Sequence, residues 1–268
     1  AKVSPRGRGG QIAAIRAACG RVQAGMTDPI LIFGATGGVG SALARRLAGE
    51  GRALHLAGRD ADTLTALGRE LNAPTTEVDV MDPEQVQKVV DAAAPDGRLG
   101  GVAYCVGSIV LKTLKRASAQ DFEETYRLNV VGGAMALQRA EAALKAANGS
   151  AVLFSTVAAQ HGFPSHSVIA SAKAGVEGLT RALSAEWAPK ARVNCIAPSI
   201  TRTKMAEPLT QNETMATGLA KAHPMQRLGE ADDIAAAAQF LLDPEKAGWI
   251  TGQILGVDGG RGPLHVKS

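Results

Sequence analysis

Short apolar runs alternate with amphipathic segments along the chain from Asp28 onward. The apolar runs are nearly continuous, a pattern that is typical of parallel strands covered on both faces. They predict strands at 29–34, 53–58, 75–80, 101–107, 150–155, 191–198 and 253–257. The segments between them carry apolar residues at helical spacing. They predict helices at 40–51, 60–71, 83–93, 118–147, through Lys173 to about Trp187, and at 231–242.

The order of these elements predicts the fold class. Strands that alternate with helices favour an α/β protein with one doubly wound parallel sheet of about seven strands and helices on both faces. With 268 residues, of which 46% are hydrophobic, the chain can bury a full core. We expect a single domain at 28–268 and a basic, flexible extension at 1–27. An irregular stretch is expected from the end of strand 191–198 to about Gly229.

The charge of the chain is unevenly distributed. The formal net charge is +4, from 29 basic and 25 acidic residues. Five of the basic residues lie in 1–27, ahead of the first carboxylate at Asp28, so the body of the chain is close to neutral. A basic excess confined to one end does not support a nucleic-acid-binding domain.

The N-terminal extension leaves the compartment open. Its Arg, Ala and Gly content resembles the end of an organellar transit sequence for a chloroplast or mitochondrion. The alternative of equal weight is a bacterial extension or cloning remnant of a cytoplasmic protein, with Met26 as the native start. Three widely spaced cysteines, with no CxxC or CxxH pair, predict neither a disulfide framework nor a metal site. No apolar run reaches the roughly 18 to 20 residues that cross a bilayer, so we expect a soluble protein.

The segment IFGATGGVGSALA, after the first strand, predicts a phosphate-binding turn. Glycines there allow the backbone to turn sharply and leave room for a pyrophosphate at the N-terminus of the following helix. Gly37 also permits the spacing GxxGxxG, so the turn alone does not assign a subfamily. A glycine-rich turn without a ligand is the alternative. The predicted cofactor-binding residues in this segment are Gly34, Thr36, Gly38, Val39 and Gly40.

Further motifs follow in a fixed order, and together residues 28–260 resemble the short-chain dehydrogenase/reductase family. The glycine segment is similar to the family's TGxxxGxG loop, with Phe33 in place of threonine. YCVG at 104–107 stands where the family has NNAG, so the glycine is kept and both asparagines are lost. APSITRT at 197–203 resembles the PGxxxT loop, with Ser199 in place of glycine. The other matching segments are DVMD at 79–82, LNVVG at 128–132 and WITGQILGVDGG at 249–260.

The resemblance implies a Rossmann fold, a nicotinamide cofactor and an oxidoreductase that acts on a small-molecule substrate. It implies cofactor contacts by Asp79, Val80, Gly107, Ile200 and Thr203, with Asp79 at the adenine amino group. It also implies a homodimer or homotetramer, because the helix at 118–147 and the helix that contains Lys173 pair across a two-fold axis in this family.

Arg59 favours NADP(H) over NAD(H). A member that prefers NAD(H) carries an acid at the end of the second strand, where it binds the ribose 2′-hydroxyl and repels a 2′-phosphate. Here that strand ends in Ala57, Gly58 and Arg59. An arginine at this point can pair with a phosphate through two hydrogen bonds. The alternative is that Arg59 is a solvated residue beside Asp60.

The resemblance also predicts the catalytic residues, and one is missing. The family uses a tyrosine as the acid, a lysine four residues later, a serine thirteen residues before the tyrosine, and an asparagine on the preceding long helix. The matching positions are Lys173, Thr156 and Asn129, with Ile169 in place of the tyrosine. A hydrocarbon side chain can neither donate nor accept a proton. Replacement donors to weigh are His161 and His166, then Ser167 and Ser171, while Tyr104 is expected in the core.

Two functions therefore stay open. The first is an atypical NADP(H)-dependent reductase of a polarised C=C or C=N bond, for which water can supply the proton. The second is a catalytically inactive subunit that binds the cofactor within a protein assembly, since fold does not guarantee activity. The retained Asn129, Thr156 and Lys173 favour the enzyme, whereas Ile169 favours the inactive subunit. The segment at 206–224 is expected to cover the substrate.

Overall fold

A seven-stranded parallel sheet forms the centre of the computed structural model, which describes residues 28–264. The predicted extension at 1–27 lies outside the described residues. The strand order is β3-β2-β1-β4-β5-β6-β9, with β7 and β8 as a separate pair. The bounds are β1 Ile30–Phe33, β2 Leu54–Gly58, β3 Thr75–Glu77, β4 Gly101–Tyr104, β5 Ser150–Phe154, β6 Arg192–Pro198, β7 Thr201–Arg202, β8 Gly229–Glu230 and β9 Ile254–Val257.

Helices cover both faces of the sheet, so the predicted doubly wound fold is confirmed. The bounds are α1 Gly38–Gly49, α2 Ala61–Leu71, α3 Pro83–Ala93, α4 Ala119–Tyr126, α5 Gly132–Ala147, α6 Ser167–Trp187, α7 Glu207–Thr210, α8 Glu213–Lys221 and α9 Ala231–Leu242. Successive residues of β1 point to opposite faces. Leu31 and Phe33 pack with α3, α5 and α6, whereas Ile30 and Ile32 pack with α1, α2 and α9.

Side-chain caps define where several helices begin. The carboxylate of Asp60 accepts a hydrogen bond from the Thr63 amide at the start of α2. Asp82 accepts bonds from two amides at the start of α3, whose first residue is a proline. Ser118 and Asp121 form a reciprocal capping box at the start of α4. These caps satisfy amides that lack a partner within the helix, and an acidic cap at Asp60 was part of the prediction of α2.

The predicted long helix at 118–147 is interrupted by a π-helical turn at Arg127–Val131. Two side chains donate hydrogen bonds to backbone carbonyls at this turn. The Tyr104 hydroxyl donates to the Leu128 carbonyl at 3.0 Å, and the Asn129 amide donates to the Thr125 carbonyl at 2.8 Å. The extra residue of the turn shifts the helix register, and Asn129 within the turn is buried.

Two other predictions change in detail. The strands β3 and β4 are shorter than the apolar runs that predicted them, and the chain continues as loops beyond Glu77 and Tyr104. The stretch that was expected to be irregular up to Gly229 contains β7, β8, α7 and α8. Within residues 28–264, none of the helices is both long and apolar enough to span a membrane.

Candidate functional site

A cavity of about 720 Å³ lies at the carboxyl ends of four neighbouring strands. Its lining includes the residues that follow β1, β4, β5 and β6, at 36–39, 105–109, 155–158 and 199–201. The strand order switches sides between β1 and β4: β2 and β3 are added on one side of this pair, and β5 and β6 on the other. Ligands of doubly wound sheets bind in the crevice at such a switch point.

The predicted glycines shape the loop between β1 and α1. Gly34 has φ +73°, and a Cβ there would lie 2.9 Å from the Cys105 carbonyl oxygen. A Cβ on Gly40 would lie 2.3 Å from the Gly34 carbonyl oxygen, and one on Gly38 would lie 2.7 Å from the Thr203 methyl carbon. Larger residues would therefore collide with backbone or with the neighbouring loop. The N-cap residue Gly37 has no side chain to cap α1, which leaves the amides of its first turn for an anion.

Two cations lie near the end of β2. Arg59 is exposed, and no described residue forms a hydrogen bond or an ion pair with it. The pKa of Asp60 is lowered first by the hydrogen bond from Thr63 and further by the charge of Lys204. Lys204, which also lines the cavity, therefore lies on the same side as Arg59. Lys204 was not predicted as a cofactor residue, although a basic residue directly after Thr203 of the predicted cofactor loop was a usable signal.

Not every predicted cofactor residue lines the cavity. Asp79 is exposed and Val80 is buried in the loop after β3, outside the cavity wall. The Asp79 backbone amide donates to Gln85 Oε1 at 2.9 Å, and its carboxylate accepts from the Met81 amide at 2.9 Å. The predicted residues that do line the cavity, apart from the catalytic ones, are Thr36, Gly38, Val39, Gly107, Ile200 and Thr203.

Lys173 and Gly107 line the cavity, and the predicted catalytic residue Asn129 lies next to Gly107 but is not among the lining residues. Lys173 Nζ donates to the Phe154 carbonyl oxygen at 2.8 Å, and burial lowers the Lys173 pKa to about 8. A Cβ on Gly107 would lie 2.9 Å from Asn129 Oδ1 and 3.3 Å from Lys173 Nζ. Asn129 Nδ2 donates to the Thr125 carbonyl and to Ser108 Oγ, but Asn129 Oδ1 is buried without a partner. The centre thus holds a cation and an unused acceptor on either side of a glycine.

Thr156 and Ile169 line the same cavity. Thr156 directly follows β5, and its hydroxyl oxygen accepts from the Ala158 amide at 3.3 Å. Ile169 lies one turn before Lys173 on α6, and its side chain is 4% exposed. Tyr104 cannot replace the missing phenol, because it is buried outside the cavity wall and its hydroxyl is bonded to Leu128. Burial also raises the Tyr104 pKa.

Of the four replacement donors weighed from sequence, only His166 lines the cavity. Its Nδ1 lies 2.8 Å from the Pro164 carbonyl oxygen, so Nδ1 carries the proton and neutral His166 keeps Nε2 as an acceptor. His161 lies beside Gly262, where a Cβ would be 2.7 Å from His161 Nε2. Ser167 and Ser171 are exposed on α6, and Ser171 donates to the Val168 carbonyl.

Ser199, which stands at the family's glycine position, joins the cofactor loop to the end of α8. Its Oγ lies 2.8 Å from His223 Nε2, and His223 Nδ1 lies 2.7 Å from the Leu219 carbonyl oxygen. A carbonyl only accepts, so Nδ1 carries the proton and Ser199 donates to Nε2. Burial lowers the pKa of His223, which favours this neutral form. Spacing in the sequence gave no signal for this pair.

Comparisons with known proteins agree with this geometry. The family model described as Enoyl-(Acyl carrier protein) reductase matches residues 34–261. A tropinone reductase homolog of Arabidopsis thaliana is 30% identical over 239 residues, which cover 86% of this chain and 90% of the relative. The 3-oxoacyl-[acyl-carrier-protein] reductase FabG of Thermotoga maritima is 30% identical over 238 residues, covering 86% and 96%.

Solved structures show the same likeness. A short-chain type dehydrogenase/reductase from Mycobacterium ulcerans is 28% identical, with a TM-score of 0.83 and coverage of 88% of this chain and 90% of that one. The structure of ElxO with NADP bound is 26% identical, with a TM-score of 0.80 and coverage of 88% and 99%.

Proposed function

The chain belongs to the short-chain dehydrogenase/reductase family, and from this premise we propose that it is an NADP(H)-dependent reductase that works without the family's tyrosine. The observation that carries the proposal is the polar centre around Gly107. Lys173 and the unpartnered Asn129 Oδ1 are kept there, whereas Ile169 presents hydrocarbon to the same cavity. This combination fits the reduction of a polarised C=C or C=N bond better than the reduction of a ketone.

The residues at the carboxyl ends of the strands suit the parts of the cofactor. Gly34, Gly38 and Gly40 leave a cradle for the diphosphate at the N-terminus of α1. Arg59 and Lys204 would meet the 2′-phosphate, and Lys173 the nicotinamide ribose. Loop residues would hold the remaining parts: Thr36, Val39, Asp79, Val80, Gly107, Ile200 and Thr203. When it is bound, the reduced cofactor supplies a hydride.

The chain's own groups would prepare the substrate for that hydride. The charge of Lys173 stabilises negative charge that develops on the substrate, and the Thr156 hydroxyl can donate a hydrogen bond to the same atom. Asn129 Oδ1 can accept a hydrogen bond from a water that faces Lys173. Ile169 supplies no proton, so the proton that balances the hydride comes from water, or from His166 when its Nε2 carries a proton as well.

The rival proposal is a subunit that binds the cofactor without catalysing a reaction. The loss of the phenol at Ile169 favours it, and so does Tyr104, which fills the place of the family's first asparagine and is buried. Its partner would be a protein assembly instead of a small substrate.

The two proposals separate in one experiment. NADPH oxidation is followed against matched panels of ketones, enoyl compounds and imines, with NADPH binding measured in parallel. We expect oxidation with an enoyl or imine compound and none with simple ketones. Tight NADPH binding without turnover on any panel would support the inactive subunit. Ordinary rates on ketones that survive His161→Ala and His166→Ala would show that an unidentified acid is present.

Assembly as a homodimer or homotetramer is part of the same proposal. Tyr126 and Val131 are 49% and 38% exposed at the end of α4 and the following turn, in the helical region that the resemblance assigns to subunit contacts. Large apolar side chains of this kind favour burial against a second copy. A monomeric mass in light scattering at micromolar concentration would contradict it.

A further inference from the structure

The charged residues that line the cavity are all basic. Lys173, Lys204 and Arg261 contribute cations, whereas no aspartate or glutamate of residues 28–264 lines the wall. A cavity with this composition attracts anions. Under the proposed function, Lys173 and Lys204 are engaged by the cofactor, and Arg261 is left for a different ligand.

Arg261 is held in place but not neutralised. Its guanidinium carbon lies 4.9 Å above the centre of the Phe163 ring, and Phe163 itself packs 5.6 Å from the His166 ring. Within residues 28–264, no carboxylate forms an ion pair with Arg261. The carboxylate of Asp258, three residues away, is engaged by the Gly260 and Gly262 amides at 2.8 and 2.9 Å. Partial burial lowers the Arg261 pKa, so its desolvation is not compensated by a protein anion.

The cavity that Arg261 lines has apolar walls. They include Phe163, over which the guanidinium lies, and a set of aliphatic side chains and methionine: Ile109, Leu111, Ile169, Met205, Leu209 and Leu219. Such walls favour a hydrocarbon body, and a single cation among them selects the end of the ligand that carries charge.

We propose that Arg261 binds the carboxylate of a substrate whose apolar body lies along these walls and whose unsaturated bond lies beside Thr156 and Lys173. The inference rests on the proposed function and names its substrate class, an unsaturated or imino acid with a free carboxylate. A planar carboxylate matches the two parallel N–H groups of one guanidinium. A phosphate dianion calls for a second cation, and the charge of Lys204 acts on Asp60, which follows β2.

The first test measures binding without turnover. The probes are trans-2-octenoate and its neutral amide, trans-2-octenamide, titrated by calorimetry into the protein with and without saturating NADP⁺. We expect the carboxylate to bind about tenfold or more tightly than the amide, the effect of hydrogen bonds between charged groups. Equal affinities of the two probes in the parent protein would overturn the proposal.

The variant Arg261→Gln assigns the effect to one residue. We expect it to bind both probes alike, while Arg69→Gln, which removes an exposed charge on α2, keeps the parent's preference. Arg261→Lys keeps the positive charge but lacks the two parallel N–H groups, so we expect an intermediate preference for the carboxylate. A full preference in Arg261→Gln would overturn the assignment. Tighter binding of octylphosphonate than of octanoate would overturn the choice of carboxylate.

The same titrations separate this inference from the proposed function. Normal NADP⁺ binding with no preference for the carboxylate would remove the role of Arg261 and leave the reductase proposal intact. A carboxylate preference that depends on Arg261, in a protein that binds no NADP⁺, would support the anion site and contradict the reductase.

Discussion

The two ends of the cavity are built on different principles. At the glycine loop, Gly34, Gly38 and Gly40 lie so close to neighbouring atoms that a single added carbon would collide with them. At the other end, Ile169, Phe163 and Arg261 form the wall with their side chains, around space that the protein leaves open. The loop is therefore constrained by backbone geometry, whereas the wall can change its chemistry without changing the fold.

This difference explains where the chain keeps the family's pattern and where it departs from it. A backbone constraint tolerates few residue types, so the loop is recognisable in the sequence. A wall side chain is constrained only by volume and by the ligand that it meets, so the wall can carry an isoleucine at the position where the resemblance predicts a phenol. Substitutions in the glycine loop should therefore affect both stability and cofactor binding, and by more than substitutions in the wall.

The largest effect is expected from Gly40→Ala. A Cβ there would lie 2.3 Å from the Gly34 carbonyl oxygen and 3.0 Å from Ala35 Cα, both backbone atoms. We expect the free energy of unfolding to fall by about 1–3 kcal/mol and NADPH binding to be lost. Urea unfolding and NADPH fluorescence titration measure the two.

Gly49→Ala is the matched control on the same helix, because nothing lies within 4 Å of the added carbon. Alanine at a helical position is expected to stabilise by about 0.5–1 kcal/mol and to leave NADPH binding unchanged. Parent-like NADPH affinity in Gly40→Ala would break the contrast between the two ends.

Lys173→Ala should have the next largest effect, at the point where the two ends meet. We expect NADPH binding to weaken by about 1.5–3 kcal/mol, the loss of hydrogen bonds from a charged group. Lys190→Ala, an exposed residue shortly after the same helix, is the control and should bind as the parent does. An unchanged affinity in Lys173→Ala would remove the lysine from the cofactor site.

The pH dependence gives a second readout for the lysine. Burial lowers the Lys173 pKa from 10.5 to about 8, so its charge is present below pH 8 and is lost as the pH rises through that value. The parent's affinity for NADPH should therefore fall between pH 7 and pH 9, and Lys173→Ala should lack this fall. For the free protein the sign is opposite: between the folded and unfolded pKa values the unfolded chain binds more protons, so this group's contribution to stability rises with pH.

A smaller effect is expected from Arg59→Ala. Arg59 is exposed, so we expect a loss of about 1 kcal/mol in NADPH affinity and none for NADH. Lys204→Ala should lower NADPH affinity in the same direction, because both cations lie near the end of β2. Arg69→Ala is the control for removing a charge from α2. Equal affinities of the parent for NADPH and NADH would contradict the role of both cations.

The smallest expected effect is a gain of function in Ile169→Tyr. The phenol would stand one helical turn before Lys173 in a cavity that already contains Thr156, so we expect weak but measurable ketone reduction with NADPH. Ile169→Phe supplies the same ring without the hydroxyl and should stay inactive. Equal rates in the two variants, or no gain in the tyrosine variant, would mean that the wall lacks more than one acid.

Most of the fold could be predicted from the sequence because its signals are local. Apolar runs marked all seven strands of the sheet, apolar residues at helical spacing marked the longer helices, and the acidic residue Asp60 marked the start of α2. The π-helical turn was not predicted, because one extra residue hardly changes a helical apolar pattern. One of the hydrogen bonds at this turn comes from Tyr104, which belongs to another part of the chain. Helix α8 was missed because only its Ala216 is buried, so the apolar pattern there is weak.

The candidate site divides in the same way. The glycine loop is one continuous segment with a mechanism attached to its spacing, so it could be found by reading along the chain. Lys204 comes near Asp60 only in the folded protein, as does Arg261 near Phe163. No periodicity links such pairs. The glycine loop and the motif residues Thr156 and Lys173 could therefore be predicted, whereas Lys204 and Arg261 could not.

Tyr104 sets a condition on exchanging motifs between relatives. A Cβ on Gly132 would lie 2.3 Å from the Tyr104 hydroxyl, and one on Gly133 would lie 3.4 Å from its ring. The tyrosine thus fills the volume that side chains at positions 132 and 133 would otherwise fill, and its hydroxyl donates a hydrogen bond to the Leu128 carbonyl. Grafting the family's asparagine at Tyr104 alone would leave that volume empty and that carbonyl without its donor. We therefore expect Tyr104, Gly132 and Gly133 to be exchangeable only together, and chimaeras that divide them between parents should assemble their active sites less well than chimaeras that keep them together.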